Sequence, residues 1–156
     1  MAVAALVAGV AVAGLAPWTR WVDGKVAARL VANSVTEKGT MVAVTIAGPR
    51  GTSVERELEL PPGAIELEFD VAELRGPLAL AFGLRRFRAA AVMAGGSRIP
   101  VAGDGEPLLF LGNGYPVARL LGCNAGTVRT ASFVPEFLVS ASFVMLPDGA
   151  IELLRR

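Results

Sequence analysis

Carboxylates at every second position are the most pointed chemical feature of this chain. Glu55, Glu57 and Glu59 alternate with Val54, Arg56, Leu58 and Leu60. After Pro61-Pro-Gly-Ala64 the pattern resumes, with Glu66, Glu68 and Asp70 set among Ile65, Leu67 and Phe69. A period of two sends each class to its own face of a strand. Joined as a hairpin through the four residues 61–64, the two runs oppose Leu60 with Ile65, Leu58 with Leu67 and Arg56 with Phe69. That register also opposes Glu59 with Glu66, Glu57 with Glu68 and Glu55 with Asp70. Carboxylates then stand as like-charged pairs on one face, at a cost of tenths to ~1 kcal/mol per pair.

Solvation, a basic partner or a hard cation could each offset that repulsion. The basic candidates are Arg85, Arg86 and Arg88 on the next charged segment, or Arg98, in the same chain or a neighbouring one. Ca²⁺ is the lesser alternative, because it takes about 6–8 oxygen ligands and side chains fixed on strands rarely converge. We therefore expect charged strand faces used for interaction, with no metal and no cofactor. The residues are Glu55, Glu57, Glu59, Glu66, Glu68, Asp70, Arg85, Arg86 and Arg88.

The remaining toolkit excludes much of enzymology. Histidine is absent, which removes Ser-His-Asp and Cys-His pairs and imidazole acid–base chemistry. One cysteine, Cys123, leaves no intrachain disulfide and no cysteine-cluster zinc site. It reads as a small turn or core residue. Gly103-Asp-Gly105 and Gly112-Asn-Gly114 read as β-turns, since no Gly-Lys-Ser/Thr follows either. The carboxylate ladder lacks the apolar walls that would separate two pKa values for acid–base work. The expectation is a protein that is not an enzyme.

The elements that must position these residues are strands. Apolar runs at Val26–Val35, Thr40–Ala47, Ser53–Leu60, Ala64–Val71, Pro77–Leu84, Phe87–Ala94, Arg98–Ala102, Leu108–Leu111, Val117–Leu121, Thr127–Val134, Phe137–Leu146 and Ala150–Leu154 are cut by Gly- and Pro-containing turn signals. Helix is an alternative for Val26–Val35 and Val71–Arg75. Such spacing predicts an all-β fold, an antiparallel β-sandwich, in one domain over residues 17–156. Leu60-Pro-Pro-Gly-Ala-Ile-Glu-Leu67 recurs as Leu146-Pro-Asp-Gly-Ala-Ile-Glu-Leu153, and Ala28-Arg-Leu30 as Ala118-Arg-Leu120. Two similar halves are one reading; a common turn chemistry is the other. In the second copy Glu152 is expected to face Met145. Phe133, Phe137 and Phe143 read as core.

Residues 1–16 carry no charged side chain and run into Pro17-Trp-Thr-Arg-Trp21. They suit the apolar region of a signal peptide, with Ala11-Val-Ala13 as cleavage site, a membrane anchor, an apolar helix packed on the domain, or a strand donated to a neighbouring subunit. A truncated gene start is a further reading. Trp18 and Trp21 read either as an interfacial belt or as core aromatics. Membrane contact, if made, runs through residues 1–21.

The chain has 156 residues, is 53% hydrophobic and carries a formal charge of +1. With Gly counted, residues 17–156 are about 60% apolar, against roughly 45–50% for ordinary soluble domains. Near-neutrality gives no field for nucleic acid. Scarce Asn, absent Gln and a preference for Arg over Lys fit a hot habitat or a GC-rich genome equally. These features together lead us to expect a non-enzymatic, extracytoplasmic structural or assembly subunit that forms homo-oligomers. The alternative is a membrane-anchored binding domain that uses the 103–116 loops.

Overall fold

The computed structural model describes Leu15, residues 18–101 and residues 122–156. The elements described in full are, in order, β1 (Thr19–Arg20), β2 (Val26–Val35), β3 (Thr40–Ala47), β4 (Ser53–Leu60), β5 (Ile65–Leu74), α1 (Gly76–Phe82), β6 (Arg85–Ala94), β7 (Ser97–Pro100), β8 (Cys123–Arg129), β9 (Ser140–Met145) and β10 (Ile151–Arg155). They build two antiparallel sheets. Sheet one runs β1-β6-β5-β8, with β7 also on β6, and sheet two runs β10-β9-β2-β3-β4. Side chains from both sheets form one buried cluster that includes Leu30, Val42, Val44 and Phe143 from sheet two with Leu67, Phe69, Phe87 and Val92 from sheet one.

Alternation explains the faces. Along β5, Ile65, Leu67, Phe69 and Val71 enter that shared cluster, while Ala72 and Leu74 join a second one on the opposite face. The second cluster is closed by Leu15, Trp18 and Cys123, with Leu78, Ala79 and Phe82 of α1 packed against it. The C-terminal end of β5 is therefore apolar on both parities and covered on both faces, by the shared core on one and by α1, Leu15 and Trp18 on the other.

The structure corrects several expectations. Pro77–Leu84, expected as a strand, is mostly α1: Pro77 opens the helix and the Leu-Ala-Leu-Ala run that follows favours it. Val26–Val35 and Val71–Leu74, for which helix was an alternative, are strand. Phe137 was expected in the core but is 62% exposed, whereas Phe133 and Phe143 are buried. The backbone turns out at Leu138 (φ 61), so β9 starts only at Ser140. Trp18 and Trp21 are both buried, one in each cluster, which removes the interfacial-belt reading.

The repeated octapeptide does two different things. At Leu146–Leu153 it is a hairpin: Leu146 N–H donates to Ala150 O, Met145 pairs with Ile151, and Glu152 faces Val144 rather than Met145. Asp148 Oδ1 accepts from Ala150 N–H at 2.9 Å, and Gly149 takes φ 91. At Leu60–Leu67 the chain instead leaves sheet two and enters sheet one, since β4 pairs with β3 and β5 with β6 and β8. Pro62 has neither the N–H nor the side-chain acceptor that Asp148 supplies. The corner sits tightly on its neighbour: a Cβ built on Gly95 (φ 55) would lie 2.9 Å from Pro61 Cγ. The Ala118-Arg-Leu120 part of the echo falls outside the described residues.

Candidate functional site

The six-carboxylate face does not form. Glu55, Glu57 and Glu59 lie on β4, the edge of sheet two, opposite Thr45, Ala43 and Met41 of β3. Glu66, Glu68 and Asp70 lie on β5, in the interior of sheet one. The arrangement on which a Ca²⁺ alternative rested is therefore missing. Among the described residues no group of three or more Cys, Asp or Glu is placed to hold a metal ion.

Two of the six ladder carboxylates, Glu68 and Asp70, meet arginines within the chain. Asp70 stands opposite Arg88 in the β5–β6 register, with Arg88 Nη2 to Asp70 Oδ2 at 2.9 Å. The Arg88 guanidinium also lies 5.2 Å from the centre of the Trp18 ring. Glu68, only 7% exposed at its side chain, accepts from two arginines: Arg98 of β7 at 2.8 Å and Arg129 of β8 at 3.1 Å. Arg98 reaches across β6 to do so: it stands opposite Met93 of that strand, and Glu68 stands opposite Ala91. This Arg-Glu-Arg chain ties both flanks of sheet one to its centre.

Arg85 and Arg86 take other partners. Arg85 Nε donates to Glu73 Oε1 at 3.2 Å and its Nη1 to Pro147 O at 2.8 Å, with the guanidinium 6.0 Å from the Trp21 ring centre. Among the described residues Arg86 binds no carboxylate. It donates to the carbonyls of Leu15 (3.1 Å), Trp18 (2.6 Å) and Phe82 (3.1 Å) and lies over the Phe82 ring. Burial, and secondarily the charge of Arg20 beside it in the β1–β6 register, push the Arg86 guanidinium below its ordinary value. It thereby pins the segment before β1 and the end of α1 to sheet one. Glu73, Arg129, Trp18 and Trp21 escaped sequence reasoning as partners, because pairs such as Glu68 and Arg129 are 61 positions apart and share no local pattern.

Strand directions give the molecule two ends. At one end the β1–β2 connection, α1 and the β9–β10 turn surround a groove of about 680 Å³. Its lining includes Arg20, Trp21, Arg75, Leu80, Leu84 and Arg85, with Asp23 and Glu73 as its acids. Glu73 is bound by Arg85, and Asp23 accepts from Trp21 Nε1 at 3.1 Å. Arg20 and Arg75 form no ion pair among the described residues. Leu80 and Leu84 are 92% and 75% exposed. At the other end, past the last residues of β2 and β8, Val134, Phe137 and Leu138 are 60–65% exposed.

Cys123 begins β8 against the second cluster, and burial raises its thiol pKa. No helix among the described residues is long and apolar enough to cross a membrane. The 103–116 loops lie outside the described residues. No protein-family model, curated protein or solved structure matches the chain.

Proposed function

We propose that this chain is a non-enzymatic structural subunit, a β-sandwich that self-associates into a larger extracytoplasmic assembly. The observation that carries the reading is the unequal treatment of its surface. Arg85, Arg88, Arg98 and Arg129 are bound within the chain, whereas large apolar side chains stand exposed at both ends, Leu80 and Leu84 at one and Val134, Phe137 and Leu138 at the other. Exposed clusters of this kind mark contact surfaces. Association through apolar patches, with charge setting orientation, fits this distribution better than association through the Arg85–Arg88 strand.

The acidic row on β4 has a complementary role. A free strand edge can pair with another chain, and charges along it oppose that. Two β4 edges brought together would set carboxylates against one another, so β4 directs association away from this edge. Residues 1–16 support an extracytoplasmic location as a targeting or anchoring segment. Native mass tests the proposal: sedimentation should give a particle of several times 16.2 kDa whose mass grows with concentration. A 16.2 kDa monomer at every concentration overturns it.

A further inference from the structure

We infer that copies of this chain join head to tail, with the Val134–Leu138 segment of one copy seated in the Arg20/Arg75 groove of the next. The inference rests on the self-assembly reading and names the two surfaces that meet. Three observations carry it.

The first is the build of the segment. Leu138 holds φ 61, a conformation rare for a residue that is not Gly, Asn or Asp. The fold holds it there: Leu138 N–H donates to Ala32 O at 3.0 Å, Val139 N–H to Glu136 O at 3.1 Å, and Pro135 is buried beneath. The result is a rigid projection presenting Val134, Glu136, Phe137 and Leu138 to solvent.

The second is complementarity. The projection carries one exposed carboxylate, Glu136, among three large apolar side chains. The groove carries Arg20 and Arg75, unpaired among the described residues, beside Leu80, Leu84 and Trp21, while its acids Asp23 and Glu73 are already engaged by Trp21 and Arg85. Its volume of about 680 Å³ falls within the roughly 300–1,000 Å³ of clefts that enclose a ligand. Phe137 and Leu138 would supply the buried anchors, and Glu136 would place a carboxylate against two guanidinium groups.

The third is placement. The two surfaces lie at opposite ends of the strands and differ from one another, so the contact is heterologous. A heterologous contact that does not close into a ring propagates as an open chain.

Complementation in the full chain tests this. Let a groove variant carry Arg20→Glu and Arg75→Glu, and a projection variant Glu136→Arg and Phe137→Ser; all four residues are surface-exposed, and circular dichroism verifies folding. Head-to-tail joining predicts that each variant alone sediments as a monomer. An equimolar mixture should stop at a dimer, because one intact groove meets one intact projection and the remaining altered pair lacks the Phe137 anchor. Combining Glu136→Arg with Arg20→Glu and Arg75→Glu in one chain should restore growth. If either variant alone assembles as the parent does, the named surfaces are wrong while the assembly function stands. If the mixture stays monomeric, the heterologous pairing is wrong. If the parent is itself monomeric at every concentration, the assembly function fails and this inference with it.

Discussion

Arg98 of β7 and Glu68 of β5 form an ion pair at 2.8 Å although β6 lies between their strands. The carboxylate is buried and both of its guanidinium partners are about half exposed. Removing either arginine alone leaves Glu68 one partner and should cost about 0.5–1 kcal/mol. Removing both strands a buried charge, so the double variant Arg98→Ala/Arg129→Ala should cost more than the sum of the singles. Glu68→Ala should cost about 1–3 kcal/mol, below the range for a fully buried pair because the freed arginines regain water. Denaturant unfolding of the four proteins gives these differences. Glu57→Gln on the exposed β4 edge is the control, expected to stay within about 0.5 kcal/mol of the parent.

Arg86 is the clamp on the segment that precedes β1. Arg86→Ala should free Leu15, Trp18 and the end of α1, seen as red-shifted tryptophan fluorescence and faster proteolysis near residue 18. The loss should be about 1.5–3 kcal/mol, from charge-assisted bonds to carbonyls. Arg86→Lys should restore little, since a single ammonium lacks the planar fork that spans three acceptors. By the same geometry, deletion of residues 1–14 should leave the body folded, while deletion through Trp18 should destabilise it.

The two copies of the octapeptide offer a direct exchange. Asp148→Ala removes the bond to Ala150 N–H from the β9–β10 turn and should cost about 0.5–1.5 kcal/mol. Pro62→Asp makes the first copy identical to the second. It should not convert the corner into a hairpin, because Ile65 would have to leave its pairing with Ala94 and Leu60 its pairing with Thr40. Amide hydrogen exchange should show β4 and β5 protected as in the parent.

Cys123 should behave as a buried, inert thiol. Its raised pKa keeps it protonated through neutral pH, so a thiol reagent should label it slowly in the native protein and at once in denaturant. The sign of the pH dependence follows. Because the folded state holds the proton more tightly than the unfolded chain, this group's contribution is complete below the ordinary thiol pKa of about 8.5. It is lost as pH rises toward the elevated folded value. Cys123→Ser should flatten alkaline destabilisation between those limits in a pH series of thermal melts.

Local pattern marks the ends of several strands, although it took α1 for a strand and began β9 three residues early. β2, β3 and β4 begin and end at the residues their apolar runs and turn signals mark, because alternation and a missing or freed φ act over a few residues. It also determined that Glu55, Glu57 and Glu59 share one face of a strand. Tertiary structure alone decided which strands pair. The β4–β5 register was locally consistent, matching Leu60 with Ile65 and acid with acid, yet nothing local could weigh it against pairing β4 with β3. In the fold β5 pairs along both edges, with β6 and β8, and Pro61-Pro62 forms a corner where Pro147-Asp148 makes a turn. The charged residues followed their strands. Asp70 found Arg88 because β6 lies beside β5, and Glu68 found Arg129 across 61 positions of sequence, a proximity that pairing creates and composition does not encode.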